Sequence, residues 1–153
     1  MSNKNATAPT NNGCTDNNGT KMITAIINRA IGILESNGKG NEAIELCKLL
    51  DNDQRIIANL VHMGNFSEAE RIAEQKNLEN ALAQAYEKSG HFSNAISAYI
   101  RCNRDDNAIR ICEKTMQFDI AARICEELGR TDDANTYNII DQSIKKSIKR
   151  RTL

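Results

Sequence analysis

The chain has 153 residues, a formal net charge of zero from 20 basic and 20 acidic residues, and a single proline. This balance argues against a protein whose whole surface attracts nucleic acid, and the length corresponds to one domain. Aromatic residues make up 4% and Trp is absent, so the core has to be built from Ile, Leu, Ala and Cys. No stretch approaches the roughly 18 apolar residues of a membrane span. We therefore expect a soluble cytoplasmic protein.

The N-terminal segment is polar and is followed by an apolar one. Residues 1–20 are rich in Asn and Thr and contain almost no apolar side chains. Because such a composition cannot bury enough surface to offset chain entropy, it predicts a disordered tail. The tail also lacks the apolar core of a secretory signal. The next segment is apolar around much of its circumference and is expected to form a helix through which two chains could dimerise. Its apolar residues are Ile23, Ile26, Ile27, Ile31, Ile33 and Leu34.

A period of thirteen residues runs through nine consecutive blocks, the first of which begins at Ile26. Seven of the nine residues at the fifth position of the block are alanine. They are Ala30, Ala43, Ile56, Ala69, Leu82, Ala95, Ala108, Ala121 and Ala134. Positions five, eight and nine are apolar in most blocks and define one stripe of an α-helix, which position twelve extends in several blocks. Such a fixed period predicts stacked structural repeats.

Two further positions predict where each helix begins and ends. The third position carries a short polar side chain in eight of nine blocks, which is typical of an N-cap. Its residues are Asn28, Asn41, Gln54, Ser67, Asn80, Ser93, Asp106, Asp119 and Asp132. The thirteenth position favours residues that tolerate the left-handed conformation closing a helix. Its residues are Gly38, Asp51, Gly64, Asn77, Gly90, Asn103, Met116, Gly129 and Gln142. Each block is thus predicted to form about ten helical residues and a turn.

Helices of this length, joined by turns of about three residues, are expected to pack as antiparallel pairs. The three phenylalanines of the chain, Phe66, Phe92 and Phe118, occupy the second position of alternate blocks. They therefore indicate a repeat of 26 residues, which is a helical hairpin with a thirteen-residue beat. Each phenylalanine is expected to lie just before an N-cap and to pack over the next helix as a hydrophobic staple. The predicted fold is an all-α, α-α superhelix, or solenoid, of short hairpins.

The segment from Leu82 to Tyr99, LAQAYEKSGHFSNAISAY, resembles the tetratricopeptide-like superfamily, in which a helix ending in Gly is followed by a second helix with Ala at its start. The segment from Glu126 to Ala134 is similar. The beat is shorter than the ordinary unit of about 34 residues, and is closer to the short solenoids of clathrin-, coatomer- and intraflagellar-transport-type coat subunits. The resemblance covers about residues 26–142. It implies a scaffold or a peptide-binding surface whose partner is another protein.

The resemblance also implies which helices line the concave face, namely those preceding each Gly-x-Phe turn. These helices are predicted near 54–63, 80–89, 106–115 and 132–142. Their exposed positions lean basic and predict a groove that clamps an acidic peptide or a carboxylate terminus. The candidate residues are Arg55, His62, Gln84, Lys88, Asn107, Arg110 and Lys114. The alternative interpretation is an ordinary solvated helix face.

No catalytic or metal-binding group is predicted. The histidines His62 and His91 lack a nucleophile at a recurrent offset and an orienting group, and no Cys-x-x-Cys pair occurs. Cys112 and Cys125 occupy the ninth position of adjacent blocks, which favours burial as small hydrophobic residues. An alternative is that they form a bridge under oxidation. The chain is interpreted as a non-enzyme without a cofactor, a bound metal or a small-molecule substrate.

The C-terminal segment over 143–153 is strongly basic. Its cationic residues are Lys145, Lys146, Lys149, Arg150 and Arg151. Isoleucines continue a helical spacing into this segment, so the last helix is expected to extend as a basic amphipathic cap. Its charges could complement the helix dipole, bind nucleic acid or contact an anionic membrane surface.

These observations predict a disordered tail over 1–20, a solenoid over 21–142 and a basic extension over 143–153. The predicted function is a protein-interaction scaffold or adaptor. One alternative is a helical repeat that associates with nucleic acid or an anionic surface through its basic end. Another is a solenoid that assembles with itself through the apolar first helix, because terminal repeats normally need a polar outer face.

Overall fold

A computed structural model describes residues 17–151, and within that range the chain is helical with no strand. The helices are α1 (Asn17–Ser36), α2 (Gly40–Leu49), α3 (Asp53–His62), α4 (Phe66–Lys76), α5 (Glu79–Lys88), α6 (Phe92–Arg101), α7 (Asp105–Lys114), α8 (Phe118–Glu127) and α9 (Thr131–Arg151). Each helix packs against its neighbours in chain order, and α3 also packs against α5. This array confirms the predicted all-α solenoid of short hairpins.

The turns between helices repeat one geometry, which explains the beat of thirteen residues. At every turn from α1 to α9 the thirteenth position has a positive φ, between 49° and 78°. The turn after α5 is representative: the Gly90 N–H donates to the Glu87 carbonyl at 3.1 Å, and the His91 N–H donates to the Tyr86 carbonyl at 2.9 Å. These two bonds form a Schellman motif. The predicted stops are confirmed except at Gln142, which lies inside α9.

The predicted N-caps are wrong by two residues. Each of the helices α2 to α8 is capped by the first position of its block, and the third position lies in the first helical turn, whereas Asn28 lies inside α1. His91 shows the reason. Its N–H closes α5, and its carbonyl accepts from the Ala95 N–H at 2.9 Å to open α6. Because one residue closes one helix and opens the next, the backbone fixes the cap. Among these seven N-caps, only Asn52 accepts a hydrogen bond through its side chain.

The core follows the alanine column. The fifth position is buried in every block except the first, where Ala30 is half-buried. The sixth position, which was not part of the predicted stripe, is buried in seven blocks, because each helix contacts neighbours on two sides. Its buried residues are Ile31, Ile44, Ile57, Ala83, Ile96, Ile109 and Ala122. At position twelve the prediction holds in part: Leu50 and Cys102 pack against the core, whereas Met63 is 39% exposed and Leu128 is 44% exposed.

The phenylalanines pack forward onto later helices, as predicted, although each is the first helical residue rather than the residue before an N-cap. The ring of Phe66 makes an edge contact with Tyr86 of α5, with centroids 5.4 Å apart. Phe118 stacks on Tyr137 of α9 at 6.3 Å. The phenylalanines therefore link consecutive hairpins.

The two terminal helices are about twice as long as the inner ones, with 20 residues in α1 and 21 in α9, against 10 or 11 elsewhere. Helix α1 begins at Asn17, so residues 17–20 of the predicted disordered tail are helical; residues 1–16 lie outside the described part of the chain. An established helix adds residues cheaply, which accounts for this extension. Helix α9 continues through the basic segment to Arg151, as the isoleucine spacing predicts.

Candidate functional site

All seven predicted binding residues lie on odd-numbered helices: two on α3, two on α5 and three on α7. We call the surface formed by α1, α3, α5, α7 and α9 the odd-helix surface. The structure gives these residues different environments, because some of them are already engaged by neighbouring helices.

Arg55 is bound within the protein. Its Nε and Nη2 donate to the two carboxylate oxygens of Glu35 in α1, at 2.8 and 2.7 Å. The same carboxylate accepts from Asn59 Nδ2 at 2.9 Å. The hydrogen bond from Arg55 holds the pKa of Glu35 below its ordinary value, although partial burial acts in the opposite direction. Paired guanidinium bonds of this kind are strong and directional, so Arg55 ties α3 to α1.

Arg110 is bound in the same way and links α7 to α5. Its Nη1 and Nη2 donate to the two oxygens of Glu87 in α5, each at 2.9 Å. The Tyr99 hydroxyl of α6 donates to the same carboxylate at 3.0 Å. The hydrogen bond from Arg110 lowers the pKa of Glu87, while burial of the carboxyl acts in the opposite direction. Glu87 therefore joins three helices.

A carboxylate recurs at the tenth position of the odd-numbered blocks. Glu35, Glu87 and Glu113 occupy it in α1, α5 and α7, and each accepts a hydrogen bond from the next odd helix. For Glu113 the donor is the hydroxyl of Tyr137 in α9, at 2.6 Å. We call these three links the carboxylate ladder. Reading the tenth position down the blocks would have revealed the acceptors from sequence alone.

The ladder has a gap between α3 and α5. In α3 the tenth position is Val61, which is fully buried. The ladder donors lie 20, 23 and 24 residues after their carboxylates; the corresponding residues after Val61 are Ala81, Gln84 and Ala85. Both the acceptor and the charged or phenolic donors are thus missing at this junction.

A surface cleft of about 280 Å³ lies between α3 and α5, where the ladder has no link. Small side chains, Ala58, Ala81 and Ala85, line it together with the polar residues of the two helices. The polar lining residues are Asn52, Gln54, Arg55, Gln84 and Lys88. The structure therefore brings together three predicted residues, namely Arg55, Gln84 and Lys88. Gln54 was not predicted in this role, because its place in the block suggested an N-cap.

The remaining predicted residues lie apart from this cleft. His62 lines a separate cleft of about 290 Å³ beside Glu35 and Asn59. The Lys114 ammonium lies 5.2 Å from the ring centroid of Phe92, a cation–π contact. Asn107 borders a third cleft with Asp106 and Arg130, which form an ion pair at 2.8 Å. These three residues do not converge on one ligand position with Gln84 and Lys88.

The basic segment forms the last turns of α9. Lys145 is paired with Asp141 at 2.7 Å, one helical turn away. The side chains of Lys146, Arg150 and Arg151 are exposed. The helix thus presents several cations on a short projecting segment.

The cysteines Cys47, Cys112 and Cys125 are buried free thiols, and Cys102 is half-buried; Cys14 lies outside the described residues. Burial raises the pKa of the Cys112 thiol to about 11, so it is protonated at neutral pH. Bridging of Cys112 and Cys125 under oxidation stays a prediction. Within residues 17–151, no three His, Cys, Asp or Glu side chains are grouped to hold a metal ion. In the same range, no helix combines the length and apolar character required to cross a membrane.

Comparison with known proteins supports the repeat assignment. A family model described as a tetratricopeptide repeat matches residues 78–102, which correspond to the hairpin of α5 and α6 with its caps. No curated protein and no solved structure gave a match to the chain. Together, the matched hairpin and the consecutive described helices support membership of the tetratricopeptide-like helical-repeat superfamily. Repeats of this type generally mediate protein–protein interaction and are typically non-catalytic.

Proposed function

We propose that this protein is a non-enzymatic interaction scaffold that binds an acidic peptide on its odd-helix surface, at the cleft between α3 and α5. The observation that carries the proposal is the gap in the carboxylate ladder. At the other ladder junctions an internal carboxylate already occupies the donors, whereas the side chains of Gln84 and Lys88 form no hydrogen bond or ion pair with other residues in the described range. A carboxylate from a peptide would supply the missing acceptor.

The chemistry of the cleft fits such a ligand. Gln84 offers two amide donors and Lys88 offers an ammonium group, while the alanines leave room for a side chain to enter. Arg55 contributes positive potential from the rim but keeps its bonds to Glu35. In this proposal Arg55 and Arg110 brace the helices, Gln84 and Lys88 contact the peptide, and His62, Asn107 and Lys114 flank its path.

A fluorescein-labelled hexaglutamate peptide, followed by anisotropy, tests the proposal. Lys88→Glu is expected to weaken binding about tenfold, because repulsion replaces attraction and changes the binding free energy by ~1–2 kcal/mol. Arg123→Glu is the matched control, since it makes the same charge change at an exposed position of α8. Hexaglutamine, which lacks the carboxylates, should bind neither the wild type nor the two variants. Equal loss of affinity in the two variants would refute a site at the cleft, because it would indicate only a response to net charge.

The basic end of α9 supports a second candidate function, which is association with nucleic acid or an anionic surface. Helix α9 continues to Arg151 and therefore holds these cations on one helical segment. Binding of a random RNA probe that falls steeply with salt and is lost when residues 143–151 are removed would favour this function. Peptide binding that survives this truncation favours the scaffold. Dimerisation through α1 and a cytoplasmic location stay predictions.

A further inference from the structure

Helix α1 has an apolar stripe that faces solvent. Met22 is 67% exposed, Ile23 60%, Ile26 62% and Ile33 55%. At 3.6 residues per turn these side chains fall within an arc of about 100° and span about three turns. An adjacent side of the helix, with Ile27, Ile31 and Leu34, packs on the core. The exposed stripe is therefore additional to the face that folds the protein.

The repeat shows what normally covers such a stripe. Position eight of an odd-numbered block faces the preceding odd helix: Asn59 of α3 donates to Glu35 of α1, and Tyr137 of α9 donates to Glu113 of α7. The same position is buried in α5 and α7, as Ala85 and Ile111. In α1 it is the exposed Ile33. The stripe thus lies where a preceding helix would stack.

The charges on α1 indicate which helix would fit. Arg55 occupies position four of its block and pairs with a carboxylate of the preceding odd helix. Arg29 occupies position four of α1, is exposed, and forms no ion pair with another residue in the described range. Lys21 is a second exposed cation of this helix. The one carboxylate of α1, Glu35, is bound to Arg55 and Asn59.

We propose that the stripe of α1 docks an amphipathic helix of a partner protein, whose apolar face covers Met22, Ile26 and Ile33 and whose carboxylate pairs with Arg29. A second copy of α1 fits less well, because two Arg29 and two Lys21 side chains would meet at one interface without a free carboxylate. The helix α9 of another copy presents Ile139 where the ladder carboxylate belongs. This site is independent of the cleft between α3 and α5.

A stapled helical peptide with the sequence of residues 104–116 is a suitable probe, because Glu113 at its tenth position is the carboxylate that α7 presents to α9. Its affinity for the full chain is measured by anisotropy. Arg29→Glu is expected to weaken binding about tenfold, and a peptide carrying Glu113→Lys should restore binding to that variant. Ile26→Asn should also weaken binding at least tenfold, because it removes apolar contact at the centre of the stripe.

The variants change exposed side chains of α1, so circular-dichroism melting curves should match those of the wild type. Arg123→Glu on α8 again serves as the charge-matched control and should leave the affinity unchanged. Binding that is insensitive to Arg29→Glu, or that the reversed charge pair does not restore, would overturn the proposal. Light scattering that shows a dimer of the wild-type chain and a monomer of Ile26→Asn would also overturn it, since the occupant would then be a second copy.

Discussion

The junction between α5 and α7 and the junction between α3 and α5 are built from the same repeat, yet an ion pair bridges the first, whereas the second packs directly without one. Glu87 and Arg110 close the first with two hydrogen bonds of 2.9 Å. At the second, buried Val61 takes the place of the carboxylate, and Ala58, Ala81 and Ala85 line a cleft of about 280 Å³. The comparison indicates that the residue at position ten of the thirteen-residue block determines whether a polar link forms between neighbouring odd-numbered helices.

The largest expected effect comes from placing a ladder carboxylate at the junction between α3 and α5. Val61→Glu should destabilise the fold by about 3 kcal/mol, because Val61 is fully buried and its new carboxylate would lose its hydration, with only the uncharged amide of Gln84 at a ladder-donor position. Adding Ala81→Arg reproduces the separation of Glu35 and Arg55, and should recover at least ~1 kcal/mol. Urea unfolding measures both changes. A Val61→Glu protein as stable as the wild type would show that position ten does not control the junction.

Removing the polar link between α5 and α7 should have a smaller effect. Glu87→Gln removes the charged acceptor of Arg110 and Tyr99, and should lower the free energy of unfolding by about 1 kcal/mol, since Arg110 is half exposed to solvent. Lys88→Gln, one residue away, is the matched control and should change the stability by less than ~0.5 kcal/mol. If the two variants unfold at the same urea concentration, Glu87 is not a link between α5 and α7.

The turns between helices offer a third test, because the turn after α5 and the turn after α7 share one backbone geometry. The turn after α7 places Met116 at φ 58°, whereas the turn after α5 has Gly90 at φ 78°. Met116 is 64% exposed, so its side chain contributes little packing. Met116→Gly should therefore stabilise the protein by ~0.5–1 kcal/mol, and Gly90→Ala should destabilise it by a similar amount. Thermal unfolding in which Met116→Gly melts below the wild type would contradict this account.

The smallest effect is a pH dependence of the free energy of unfolding, which arises at the ladder carboxylates and has no counterpart at the junction between α3 and α5. Hydrogen bonds from Arg55 and Arg110 lower the folded-state pKa of Glu35 and of Glu87 relative to the unfolded chain. Their contribution is fully present above the ordinary carboxyl pKa of 4.5 and is lost as the pH falls through the lower folded value. Below pH 4.5 the wild type should lose stability more steeply than Glu87→Gln. Parallel stability curves would exclude the pKa shift of Glu87 as a source of stability.

The sequence predicted local features better than links between helices. Alanine at the fifth position and the left-handed closing residues repeat with a fixed spacing, so Ala95 and Gly90 could be assigned without a structure. The N-caps were misplaced because the backbone of His91, rather than a polar side chain, opens α6. The ion pair of Arg110 with Glu87 could not be predicted from an exposed helix position, since it depends on which helices lie next to each other in the fold. The recurring glutamate at position ten was nevertheless visible in the sequence.

The side-chain amide signals of Gln54 and Gln84 in a 15N-labelled sample, titrated with hexaglutamate, test the central claim most directly. Both residues line the cleft between α3 and α5. We expect saturable shifts of these signals in the wild type, no such shifts with hexaglutamine, and their loss in Lys88→Glu. Shifts confined to residues 145–151, or no shift at Gln54 and Gln84, would contradict the claim that this junction receives a carboxylate.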